Sequence, residues 1–147
     1  MSDLDALYRE LILDHSKHPQ HFGLADEEGA HATSYQKNPV CGDEITLRAR
    51  IEDDGDTVRD VTWEGRGCSI SQASASMLSD LVVGMTRTEA VAFVDGFREA
   101  LRSRGAIELD ENTYADAAAL SGVSKFSARV KCAMLAWVAL EDALGRA

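Results

Sequence analysis

Cysteine is scarce in this 147-residue chain. Only Cys41, Cys68 and Cys132 occur, and an odd, widely spread set argues against a disulfide framework. Long apolar runs are missing as well: none approaches the roughly 20 residues needed to cross a bilayer, so no membrane-spanning helix is expected. The first residues, Met1 to Glu10, are acidic and amphipathic, unlike a secretory signal or a transit peptide. A cytoplasmic location, where thiols stay reduced, is the resulting expectation. Positive charge is sparse: 15 basic residues face 25 acidic ones, for a net charge of −10. The densest basic group is Arg98, Arg102 and Arg104, whereas nucleic-acid binding needs a stripe that neutralises phosphates, so no nucleic-acid partner is expected. The acidic excess suits solubility, or steering toward a basic patch on a protein partner. Also absent are a phosphate-cradling P-loop, a Gly-x-Ser-x-Gly elbow and a His-Glu-x-x-His helix. No repeat, low-complexity tract or linker divides the chain, and residues 1–147 read as one domain.

What is present reads as an α+β chain. Apolar spacing predicts a helix over residues 3–18, with Leu4, Leu7, Tyr8, Leu11 and Ile12 on one face, Ser2 or Asp3 as cap, and Pro19 as stop. Residues 20–33 read as polar loop. Ile45, Leu47, Ala49 and Ile51 alternate with polar residues, and a second strand follows from Val58 to Trp63 across the turn Asp53-Asp54-Gly55-Asp56. A shorter third strand is expected near residues 34–37. From Ser69 the chain turns helical, with Ile70, Ala73, Met77 and Leu81 along one face up to Gly84. Thr86-Arg87-Thr88-Glu89 is a capping-box pattern opening a helix that carries Val91, Val94, Phe97 and Leu101. A short alanine-rich helix is expected over residues 113–120. A terminal helix starts at Ser124 or Ser127 and buries Val130, Met134, Trp137, Val138 and Leu144. The expected outline is a small antiparallel sheet with helices packed on one side.

The surroundings of the cysteines carry the chemical signal. Cys41-Gly42-Asp43 places a thiol and a carboxylate two residues apart around a glycine that lets the chain bend close to an ion. Cys68 follows Gly65-Arg66-Gly67 and stands at a helix start, where unpaired backbone N–H groups favour a thiolate. Cys132 has Arg129 and Lys131 nearby, which favour a thiolate in the same way. Two readings stand on these residues alone. Three unrelated cysteines acting as small buried hydrophobes is one. The other gathers Cys41, Asp43, Cys68 and Cys132 around one ion. Zinc suits that donor set, and three soft sulfurs suit an iron–sulfur cluster as well. The spacings match no local zinc finger. Histidines offer less: His15, His18 and His21 sit where a helix end favours their charge, and His31 reads as a loop residue with no role.

At these motifs the chain resembles the SufU/IscU family of iron–sulfur cluster assembly proteins, nearly end to end. The resemblance runs through Leu7-Tyr8-Arg9, Asp14-His15, His18-Pro19, Asn38-Pro39-Val40-Cys41-Gly42-Asp43, Gly67-Cys68-Ser69-Ile70-Ser71 and Lys131-Cys132-Ala133. Two features resemble the SufU branch: Lys131 stands where IscU scaffolds carry a histidine, and extra sequence lies around Arg102 to Val123. The resemblance implies a three-stranded antiparallel sheet with about five helices. It implies Zn²⁺ held by Cys41, Asp43, Cys68 and Cys132, and a sulfurtransferase task in which Cys41 takes persulfide sulfur from a SufS-type cysteine desulfurase. Docking would bring a histidine of that partner toward the site and free Cys41 as the thiolate. Downstream cluster assembly proteins are the implied recipients. A scaffold assembling a [2Fe–2S] cluster on the same cysteines, and an interaction module with a structural zinc, are the alternatives.

Overall fold

The computed structural model describes residues 3–39 and 42–147. Helix α1 (Asp3–Lys17) leads by a polar loop into strands β1 (His31–Asn38), β2 (Asp43–Ile51) and β3 (Val58–Arg66). Helices α2 (Ser69–Leu81), α3 (Arg87–Arg102) and α4 (Glu111–Tyr114) follow, then a 3₁₀ segment (Ala115–Lys125) and helix α5 (Ser127–Arg146). The expected α+β class, with a three-stranded antiparallel sheet and five helices, is the observed one. No helix among the described residues is long and apolar enough to cross a membrane.

The strands run in chain order, β1-β2-β3, each antiparallel to the next. In β2, strict alternation sends Ile45, Leu47, Ala49 and Ile51 to the covered face, and the arginines between them reach carboxylates instead. Register decides where chemistry can occur. Asn38 pairs with Asp43 and Glu44 pairs with Arg66, so the start of β2 lies against the end of β3, just where the chain turns into α2. The shorter strands expected from sequence are extended at their ends by this pairing; β1 reaches back to His31, which makes His31 a strand residue rather than a loop one.

Helices α5 and α2 cover the sheet. Helix α2 is enclosed almost all round: Ala73, Ser74, Ala75, Ser76, Met77, Leu78 and Ser79 are all buried. Small residues allow that close approach, and their hydroxyls are satisfied across it. Ser74 donates to the Ala133 carbonyl at 2.6 Å and accepts from the Trp137 indole N–H at 2.8 Å, tying α2 to α5. Trp137 stacks on Phe97 of α3, ring centroids 3.7 Å apart, and Phe93 and Tyr114 extend the cluster. The capping box at α3 is present as its sequence predicts. Four apolar expectations fail. Leu7 and Val91 are exposed at the surface, because the helices beside them cover only a narrower stripe. Val130 and Val138 are half-buried because both line a groove. The Leu4 side chain and Ser2 lie outside the described residues. In place of an alanine-rich α-helix over 113–120, a single α-turn passes at Ala115, φ +46°, into the 3₁₀ segment.

Candidate metal centre

Three elements meet at one edge of the sheet. Asp43 opens β2, Cys68 follows β3 and caps α2, and Cys132 lies in the second turn of α5. One donor atom from each lies within 4.8 Å of the others. Cys41 lies outside the described residues, so the structure brings together three of the four residues expected from sequence. Asp43 and Cys132 are buried, while Cys68 is exposed at the mouth.

The orientation of Asp43 has a specific cause. Its Oδ1 accepts the backbone N–H of Cys68 at 3.0 Å, so the carboxylate serves one of the unpaired donors at the start of α2. The N–H groups expected to point at sulfur are therefore partly turned to this oxygen. Oδ2 is left 4.0 Å from the Cys68 sulfur. Gly67 makes the approach sterically feasible: a Cβ there would collide with both the Asp43 carboxylate and the Ser71 hydroxyl. Ser71 donates to the Cys68 carbonyl at 3.0 Å, and its oxygen lies 3.9 Å from the Cys68 sulfur. Gly42 adopts φ +75°, a left-handed turn immediately before Asp43. The glycines singled out in the sequence thus serve two needs, a turn at 42 and a close contact at 67.

A cavity of about 620 Å³ opens over these groups and is lined also by Arg66, Ser69, Ile70, Ala128 and Arg129. Arg129 faces this space and lies over the Phe126 ring at 5.2 Å. Lys131 does not: it lines a different groove, because successive residues on α5 point about 100° apart. Arg66, exposed, holds Glu44 at 2.7 Å, and Tyr35 donates to the same carboxylate at 2.6 Å. The Tyr35 hydrogen bond, then Arg66, hold the Glu44 carboxyl below the usual range.

Two thiols and a carboxylate fit a borderline-soft divalent ion. Zinc–sulfur bonds of about 2.3 Å set tetrahedral edges of about 3.8 Å, so donors already within 4.8 Å of one another need only small side-chain shifts. Among the described residues no histidine joins this cluster. His15 sits between Ser76 Oγ at 2.7 Å and Asp116 Oδ2 at 3.0 Å, and His21 lies 3.4 Å from Asp80. The His15 clasp, which joins α1 to α2 and the 3₁₀ segment, is invisible in sequence because its partners lie 61 and 101 residues away.

A small antiparallel sheet backed by helices, with Asp, Cys and Cys converging at its edge, matches a known architecture. The family of NifU-like N-terminal domains covers residues 7–144, and the chain belongs to it. It is 40% identical over 146 residues to the iron–sulfur cluster assembly scaffold protein IscU of Streptococcus pyogenes serotype M1, spanning 99% of this chain and 87% of that one. It is also 40% identical over 146 residues to the zinc-dependent sulfurtransferase SufU of Bacillus subtilis strain 168, spanning 99% and 94%. A crystal structure from Fervidobacterium islandicum AW-1, assigned to iron–sulfur cluster scaffolding for the SUF system, superposes with a TM-score of 0.81 at 36% identity, covering 92% and 94% of the two chains. The chain therefore sits in an iron–sulfur cluster assembly family. Equal identity to IscU and SufU leaves the branch undivided.

Proposed function

We propose that this protein, acting as one domain over residues 1–147, is a zinc-binding sulfur acceptor of the SufU kind. In this reading it works with a SufS-type cysteine desulfurase and passes sulfur on to cluster assembly proteins. Cys41, Asp43, Cys68 and Cys132 hold Zn²⁺, which when bound keeps its sulfur ligands deprotonated at neutral pH. The observation that carries the reading is the convergence of Asp43, Cys68 and Cys132, with Asp43, which follows Cys41 by two residues in sequence, fixed by the Cys68 N–H.

Cys41 is the acceptor. Its thiolate attacks the terminal sulfur of the partner's persulfide. The partner's S–S bond breaks as a new S–S bond forms on Cys41, and the electron pair leaves with the partner's cysteine thiolate. The exchange is redox-neutral. Gly42 holds a left-handed φ of +75°, a conformation glycine adopts freely, and Asp43 is anchored to α2 by the Cys68 N–H. The exposed position of Cys68 leaves the mouth open to a docking partner.

A second reading, a scaffold that builds a [2Fe–2S] cluster on the same cysteines, is favoured by the equal identity to IscU. Lys131, which offers no soft donor beside Cys132, favours the first. Incubation with a SufS-type desulfurase and cysteine, followed by mass spectrometry of this chain, distinguishes them. One added sulfur on Cys41, raised desulfurase turnover and zinc in the purified protein are expected. Persulfide undiminished in Cys41→Ala, or bound iron and sulfide with no effect on turnover, would overturn the assignment.

A further inference from the structure

The arginines of the sheet follow one rule. Arg48, Arg50, Arg59 and Arg66 each reach a carboxylate, as an acidic chain readily allows. The groove between α3 and α5 departs from it. A cavity of about 340 Å³ is floored by Leu101 of α3 and by Val130, Met134 and Val138 of α5. These three α5 residues, spaced by four, form one stripe along the helix. Arg98, Arg102, Arg104 and Lys131 rim the groove, and among the described residues no acidic one lines it. Arg98 is held by Glu141 and Asp95. Arg102, Arg104 and Lys131 are exposed and enter no ion pair among the described residues.

In a chain with 25 acidic residues, unbalanced cations gathered around an apolar floor call for an anionic counterpart from outside. The floor also calls for apolar side chains at helical spacing. We propose that the α3–α5 groove is a docking site for an acidic amphipathic helix of a partner protein, its apolar residues on the floor and its carboxylates on the rim. Among the described residues, the groove shares no lining residue with the cavity over Asp43, Cys68 and Cys132. Cys132 lies two residues from both Val130 and Met134, which turns it to the opposite side of α5. Helix docking and metal-site chemistry can therefore proceed together, and the proposal stands apart from the sulfur-transfer reading.

The test uses the full chain, labelled with ¹⁵N and titrated at low salt with a synthetic peptide of Glu, Leu and Ala whose leucines recur at i, i+4 and i+7. Saturable shifts confined to the signals of Leu101, Val130, Met134 and Val138 and their neighbours are expected. Arg102→Glu with Arg104→Glu, both exposed, should weaken binding about tenfold and strengthen binding of a peptide with Lys in place of Glu. A same-composition peptide with scrambled leucines should bind more weakly still. Shifts elsewhere, equal binding of the scrambled peptide, an unaltered charge-reversal variant, or no saturation by about 1 mM would overturn the proposal. So would equipotent displacement by inorganic phosphate or a single-stranded oligonucleotide, or self-association through this groove in sedimentation.

Discussion

At the scale of single residues, the site depends on a hydrogen atom at position 67. Any side chain there meets the carboxylate that α2 holds in place. Gly67→Ala is therefore expected to lower zinc affinity at least tenfold while the fold persists, because Asp43 must leave its contact with the Cys68 N–H. Competition with a chromogenic chelator reads the affinity and circular dichroism reads the fold; undiminished affinity would show that Asp43 is not a ligand. Much of this was legible beforehand. A glycine after Cys41, a glycine before Cys68 and a carboxylate two residues from Cys41 are requirements of close approach, and they are local in sequence. The Cys68–Asp43 hydrogen bond was not legible, since it depends on the register that lays the start of β2 against the end of β3.

At the scale of elements, α2 stands at the centre, packs on α5 and hydrogen-bonds to it through the Ser74 hydroxyl. Ser74→Ala removes the donor to Ala133 and the acceptor for Trp137 inside a buried contact, and a loss of about 1–3 kcal/mol is expected in urea unfolding. An unchanged midpoint would contradict that account. Helix α1 is held differently, by His15 and by Tyr8, whose hydroxyl donates to Glu111 at 2.5 Å. That hydrogen bond, with burial, pushes the Tyr8 pKa up to about 12. An unfolded tyrosine ionises near pH 10, so above that pH the unfolded chain loses its proton first and folding stability falls until about pH 12. Tyr8→Phe should make this alkaline decline shallower in thermal melts between about pH 10 and 12, and an identical slope would refute the assignment. Periodicity located α1 and α3 correctly but misjudged Leu7 and Val91. A helix's apolar stripe shows which face packs best, not how wide the covering neighbour is. The 3₁₀ segment escaped for a related reason: alanine-rich sequence favours α-helix, and the left-handed break at Ala115 comes from packing rather than from local preference.

At the scale of the whole molecule, a sheet and two helix ends separated by long stretches of chain come together around one small volume. Removing the ion should leave the sheet intact and loosen that edge, because Asp43, Cys68 and Cys132 stand outside the apolar cluster that packs the sheet against the helices. Chelation is thus expected to lower the thermal midpoint by several degrees without abolishing cooperative unfolding; loss of all cooperativity would mean that the metal holds the fold itself. The most direct measurement is X-ray absorption at the zinc edge of the purified full chain. Three sulfurs at about 2.3 Å and one oxygen at about 2.0–2.2 Å are expected, with one sulfur lost in Cys41→Ala. A shell of nitrogen and oxygen donors, or three sulfurs retained in that variant, would contradict the assignment of Cys41, Asp43, Cys68 and Cys132 to a single centre.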